Sequence, residues 1–241
     1  MFKCAVNADL FARANLARSD EPTRYYLNGV YVTPHEDGGA LLVGTNGHWL
    51  VAIHDPRGVV EGSGIVSLSK RMISDCKSLA SDARSPFGHR TERVVVVGDN
   101  RAMVVLSSQN YKIRERDEEQ EIEPRGETLA LLLEPNQLVI SAQFSEVTID
   151  GKFPDYKRVI PDDVDGNRPL PTVDPKYIAL AVKAITQDRK GAVRFMPGEN
   201  EGAPIVVVPS NEPFGWKSAA VVMPMRGSST IKAPTFWKGQ Q

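Results

Sequence analysis

At 241 residues, with 41% hydrophobic and 24% charged residues and a formal net charge of −1, the chain has the make-up of a soluble globular protein with enough length to bury a core, as one large domain or two small ones. Near-neutrality excludes a generic polyanion binder, so any nucleic-acid contact needs basic residues gathered on one face. No stretch approaches the ~18 consecutive apolar residues of a membrane helix, the start MFKCAVNADLF lacks the apolar run of a signal peptide, and Cys4 and Cys76 form no CxxC pair. The expectation is a cytoplasmic chain with reduced thiols, no metal and no other cofactor.

In chain order, NADLFARANLA (7–17) has helical period, with Asn7 as N-cap and Leu10, Phe11 and Ala14 on one side. Strand signals come next in YYLNGVYVTP (25–34), ALLVGTNGHWLVAIH (40–54) and GIVSL (64–68), rich in branched apolar residues and bounded by turn residues. The spacing predicts a second helix over 69–84, capped by Ser69, with Met72, Ile73, Cys76 and Leu79 as its apolar stripe. Strands are predicted at 93–99 and 101–108, split by Gly-Asp-Asn, and at 127–134, 137–143 and 145–151. Residues 109–126, QNYKIRERDEEQEIEPRG, are highly charged without apolar period and read as a solvated insert. Residues 161–171, PDDVDGNRPLP, read as a domain boundary. A third helix is predicted over 174–190, with Asp174 as N-cap, Pro175 at the first helical position and Ile178, Ala181, Val182 and Ile185 facing inward. Strands at 192–198, 204–210 and 217–225 precede a polar tail, 227–241.

Basic residues repeat on two of these helices. Lys70, Lys77 and Arg84 recur every seven residues, as do Lys176, Lys183 and Lys190, and seven residues make about two turns. Amphipathic helices ordinarily carry charges outside, but two such stripes in a near-neutral chain form a candidate surface for a phosphate backbone, with sequence-independent, salt-sensitive contacts. No aromatic residues interleave with them, so base stacking on a single strand is not indicated.

Three stretches resemble the bacterial sliding clamp, the beta subunit of the replicative DNA polymerase: RYYLNGVYV (24–32) leading to TNGHWLVA (45–52), DGKFPDYKRVIP (150–161) and VVMPMR (221–226), in clamp order. The resemblance implies an α+β DNA-clamp fold, with antiparallel sheets outside and helices packed on the inner face. It implies a clamp domain of middle type over 1–161, a partial clamp domain like the second half of the last one over 162–226, and a flexible tail over 227–241. It also implies a DNA processivity factor rather than an enzyme, oligomeric, binding duplex DNA without sequence preference and docking polymerases or repair proteins through a short peptide. Carried over, the peptide pocket comprises Leu27, Thr45, Gly47, His48, Leu50, Pro161, Val221, Met223, Pro224 and Met225, with Arg226 at its rim. The DNA-facing set is Arg13, Arg24, Lys70, Lys77, Arg84, Lys176, Lys183 and Lys190. Asn46 and Trp49 replace the family's Asp and Arg in the turn, and the chain is too short for three full domains.

Two other readings stand beside this one. A clamp-derived module that does not encircle DNA is an adaptor or decoy for replication proteins. An enzyme would draw on His48 and His54, six apart in the 40–54 stretch with Asp55 adjacent, but that spacing matches no metal motif and no third ligand or nucleophile is placed. Finally, the tail GSSTIKAPTFWKGQQ leaves from the predicted pocket wall, with Phe236 and Trp237 as candidates for docking back into it.

Overall fold

The computed structural model describes residues 2–77, 90–109, 138–161, 164, 168–186, 191–200, 202–210 and 217–225. Its strands are β1 (Lys3–Asn7), β2 (Val30–Pro34), β3 (Ala40–Thr45), β4 (Trp49–Asp55), β5 (Val59–Glu61), β6 (Gly64–Val66), β7 (Arg90–Gly98), β8 (Arg101–Gln109), β9 (Leu138–Gln143), β10 (Thr148–Ile149), β11 (Val193–Pro197), β12 (Ile205–Pro209) and β13 (Ser218–Val222). The described α-helices are α1 (Ala8–Ala14), α2 (Lys70–Cys76) and α3 (Pro175–Ile185). The strands form two antiparallel sheets, ordered β5-β1-β7-β8-β9 and β10-β6-β2-β3-β4-β13-β12-β11. β13 pairs with β4 in register, Val221 opposite Leu50 and Val222 opposite Trp49, so the larger sheet continues across the 161–171 segment.

Local chemistry explains where the elements begin. Each helix starts at the predicted cap: Asn7 Oδ1 accepts from Leu10 N (3.0 Å), Ser69 Oγ from Met72 N (3.4 Å) and Asp174 Oδ1 from Lys176 N (2.8 Å). The β7–β8 hairpin turns at Asp99 and Asn100, both at positive φ (52° and 56°), the conformation that matches the right-handed twist of a tight hairpin. Asn100 Oδ1 then accepts from Val147 N and Thr148 N, both at 3.1 Å, and so ties this turn to β10.

All three helices and both sheets share one core. Val30, Val32, Leu42, Trp49, Val51 and Ile53 of the large sheet and Val6, Val95, Val97 and Val104 of the small one pack with Phe11, Met72, Ala184 and Ile185. α1 lies between α2 and α3. Its last turn presses on β3 at Gly44, where a Cβ would come within 2.1 Å of the Ala14 carbonyl oxygen. This is the layered α+β arrangement anticipated from the sequence. No helix among the described residues is long and apolar enough to cross a membrane.

Several boundaries differ from the reading of the sequence. The RYYL stretch falls in two consecutive 3-10 turns, Pro22–Leu27, broken at Arg24 (φ −116°, ψ 46°), and the strand begins only at Val30; Pro22 suits a helical start, and Asn28 N donates to Tyr25 O (2.9 Å). The 40–54 stretch is a hairpin rather than one strand. α2 ends at Cys76, with Lys77 already extended (φ −67°, ψ 125°). Its end is held by Arg93, whose Nη1 donates to Asp75 O (2.6 Å) and Lys77 O (3.2 Å), a cation satisfying the last carbonyls. The short strands β1 and β5 have no counterpart in the prediction, and the predicted strand at 127–134 and most of the charged insert lie outside the described residues.

Candidate functional site

Alternation along β4 and β13 creates the site. Successive strand residues face opposite sides, so Trp49, Val51, Ala220 and Val222 enter the core under the helices while Leu50 and Val221 face outward. On that outer side Leu27, Val43, Leu50, Ile65, Phe153 and Val221 form a second apolar cluster. The pocket opens above it. It is lined by Leu27, Thr45, Gly47, Trp49, Leu50, Pro154, Asp155, Tyr156, Val159, Val221 and Met223, around about 510 Å³ of empty volume.

Each wall is fixed by identifiable contacts. In the β3–β4 turn, Thr45 Oγ1 donates to Trp49 O (2.8 Å) and accepts from Gly47 N (3.1 Å), while Asn46 Oδ1 accepts from His48 N (3.0 Å) and Trp49 N (3.2 Å). Asn46 thus supplies the acceptor that a carboxylate would offer, without its charge. Gly47 sits at φ +86°, and a Cβ there would lie 2.7 Å from Arg24 Nη1. The opposite wall is the 3-10 turn Tyr156–Val159 with the preceding Pro154 and Asp155. Phe153 anchors it by stacking on Tyr31 (centroids 4.8 Å, 8°), with Tyr156 tilted against the same ring at 6.3 Å. Partial burial, then the neighbouring Tyr31 and Asp155, raises the Tyr156 hydroxyl above its usual value, so near neutrality it is an uncharged donor. Asp155 is paired with Arg158 (3.0 Å). At the mouth, Met223 is held by its N–H donating to His48 O (2.9 Å). The lining is an apolar floor with partly exposed rims at Val159 and Met223, suited to taking up apolar side chains from another segment.

The structure therefore brings together Leu27, Thr45, Gly47, Leu50, Val221 and Met223 of the predicted set. Pro161 is not in the lining; Pro154 and Val159 of the same motif are, because the 3-10 turn folds them toward Leu27. His48 turns away and stacks on Tyr177 of α3 (5.5 Å, 11°). Pro224 and Met225 continue from the wall without lining it, Met225 N donating to Thr172 O (2.8 Å), and Arg226 lies outside the described residues. Trp49 is a lining residue that the residue-by-residue transfer left out. Its ring is in the core (1% exposed).

The predicted DNA-facing residues divide. Lys70, Lys176 and Lys183 are exposed on α2 and α3 and are not among the pocket-lining residues. The seven-residue stripe on α2 is not formed, since Lys77 is past the helix end. Arg13 does not project outward: it pairs with Asp9 (2.6 Å) and donates to the Thr186 carbonyl at the end of α3. Arg24 is on the pocket side, paired with Glu21 (2.7 Å). Arg84 and Lys190 lie outside the described residues.

The histidines proposed for chemistry have separate neighbours. While His48 meets Tyr177, His54 stacks on His35 (4.0 Å, 26°), its Nε2 2.8 Å from Gly38 O. Asp55 is buried and accepts from Asn7 N (2.7 Å) and Arg57 N (3.2 Å). Burial raises the Cys4 thiol and, with help from Asp75, pushes the Cys76 thiol up to about 12, which leaves both protonated and unreactive at neutral pH.

With this geometry in view, the chain can be set against known proteins. No protein-family model matches it. A beta sliding clamp of Caulobacter vibrioides is 28% identical over 184 residues, covering 73% of this chain and 37% of the relative. Among solved structures, the sliding clamp of Bartonella birtlesii bound to griselimycin superposes with a TM-score of 0.56 at 16% identity, covering 93% of this chain and 66% of that one. The DNA polymerase III beta subunit of Thermotoga maritima gives 0.56 at 14% identity over 95% and 66%. This is the sliding-clamp fold. By sequence the chain is similar to the beta sliding clamps, at 28% identity, and spans a little over a third of the length of the curated relatives it matches.

Proposed function

We propose that this chain is a sliding-clamp-like processivity factor rather than an enzyme. It works in the cytoplasm, assembling with further copies around duplex DNA and holding a polymerase or repair protein by a short apolar peptide seated in the pocket. One observation carries this reading: β4 and β13 place Leu50 and Val221 in an open apolar pocket on one side of the sheet and Trp49 and Val222 beneath the helices on the other. On that second side Lys176 and Lys183 stand exposed, two turns apart on α3. Partner and phosphate backbone would then meet opposite faces and not compete. The division into a clamp domain over 1–161 and a half domain over 162–226 belongs to the same reading.

The test is retention on nicked circular DNA. Encirclement predicts that labelled protein stays on the circle and is released when the DNA is linearised; equal release from both forms contradicts it. A non-encircling adaptor is the second reading. Light scattering separates the two, because a monomer cannot surround a duplex. Griselimycin, bound to the Bartonella birtlesii clamp, serves as a trial ligand. Binding that is lost in Val159→Glu supports the pocket reading, and no binding, or binding indifferent to that change, opposes it.

A further inference from the structure

The mouth of the pocket is also where the chain leaves the sheet. β13 ends at Val222, and the next residues leave two large apolar side chains in solvent, Met223 at 37% and Met225 at 54% exposure. Two backbone bonds fix this exit, Met223 N to His48 O (2.9 Å) and Met225 N to Thr172 O (2.8 Å). The C-terminal segment therefore starts from a defined point beside the cavity. Its sequence is RGSSTIKAPTFWKGQQ, residues 226–241, outside the described residues.

We propose that Phe236 and Trp237 of this segment occupy the pocket of their own chain and so compete with partner peptides. The proposal rests on the pocket being a peptide site. Composition supports it first: apart from Ile231 the segment is otherwise small or polar, and its two large aromatics are adjacent, the pattern of an anchor on a tether. Reach supports it next. Phe236 is eleven positions beyond Met225, and eleven residues of coil would span about 17–20 Å on average, sufficient to reach a cavity whose wall begins two residues before Met225. Charge is compatible: the segment carries Arg226, Lys232 and Lys238 with no acidic residue, and the charged side chain in the lining is Asp155, itself paired with Arg158. A tether this short gives an effective concentration on the order of a millimolar. A segment that binds with a dissociation constant of about 0.1 mM when free would then weaken a competitor about ten-fold.

The experiment compares the full-length chain with its Phe236→Ala/Trp237→Ala double variant, using fluorescein-labelled synthetic peptide 227–241 as probe and anisotropy as readout. The double variant is expected to bind the probe about ten-fold more tightly than the unaltered chain. Adding Met223→Glu or Val159→Glu, both at partly exposed positions, should abolish that binding with the melting temperature unchanged. Equal affinity for the unaltered chain and the double variant overturns self-occupancy, while loss on Met223→Glu would still uphold the pocket as a peptide site. If the probe binds neither protein, self-docking is overturned, and the griselimycin titration then decides separately whether the pocket reading falls with it. A gap in affinity that grows with protein concentration assigns the segment to a second copy and overturns the intramolecular form.

Discussion

The two faces of the eight-stranded sheet are made by the same strands and differ in how they are closed. On the inner face Val51, Ile53, Val222 and Ile205 are no more than 1% exposed beneath α1 and α3, because amphipathic helices complete the burial. On the outer face the cover is two short 3-10 stretches, Pro22–Leu27 and Tyr156–Val159, and Val159 and Met223 remain 38% and 37% exposed. The lesson is that closure, not hydrophobicity, separates core from site: Leu50 and Trp49 are chain neighbours, both apolar, and one supports a pocket floor while the other locks a core. Substitutions on the inner face should therefore act on stability, and those at the outer rim on binding.

Phe11→Ala would break the inner face most severely. Phe11 is fully buried, and its removal should cost about 3–5 kcal/mol, read as a lower midpoint in denaturant; a loss under about 1 kcal/mol would mean that the helix layer is not packed as described. Next, Val159→Glu should lower partner-peptide affinity at least about ten-fold while changing stability by no more than about 0.5 kcal/mol, so calorimetry and anisotropy together separate the faces. Asn7→Ala removes the cap of α1 and should cost about 1 kcal/mol, visible as a modest drop in melting temperature.

On the helical side, Lys176→Glu/Lys183→Glu should flatten the dependence of log DNA affinity on log salt by about 2 if both lysines meet phosphates, with peptide binding intact. An unchanged salt slope removes these lysines from the DNA surface. The smallest effect is at His35, whose imidazole is held below its usual value, first by partial burial and then by the stacked His54. The unfolded chain takes up a proton that the folded chain resists, so this contribution to stability is complete at high pH and shrinks as pH falls through about 6.5. His35→Gln should make the loss of stability below that pH shallower.

Much of this was readable in the sequence because it is local. The caps Asn7, Ser69 and Asp174 sit one position before each helix, and the TNGH turn declares itself through a threonine, an asparagine and a glycine whose backbone bonds span only a few residues. Tertiary choices were less legible. RYYL has the composition of a strand, yet Pro22 and the bond between Ser19 N and Leu27 O (2.8 Å) hold it as a 3-10 stretch. α2 stops where Arg93, 16 residues beyond Lys77, captures its carbonyls, and nothing within the helix announces that. Pro154 and Val159, rather than Pro161, reach the pocket because a 3-10 turn intervenes, and Arg13 and Arg24 carry the same charge as the exposed lysines but are committed to Asp9 and Glu21. In each case a partner elsewhere in the chain or a change of helical type decided the outcome, and neither leaves a periodic trace.

The most direct measurement of the two-faced arrangement is a titration of fluorescein-labelled peptide 227–241 into the Phe236→Ala/Trp237→Ala double variant already held on nicked circular DNA. The expected result is a ternary complex with the peptide affinity of the free protein and no release of DNA. Displacement of the DNA by the peptide, or absence of any peptide binding, would contradict the assignment of partner and duplex to opposite sides of one sheet.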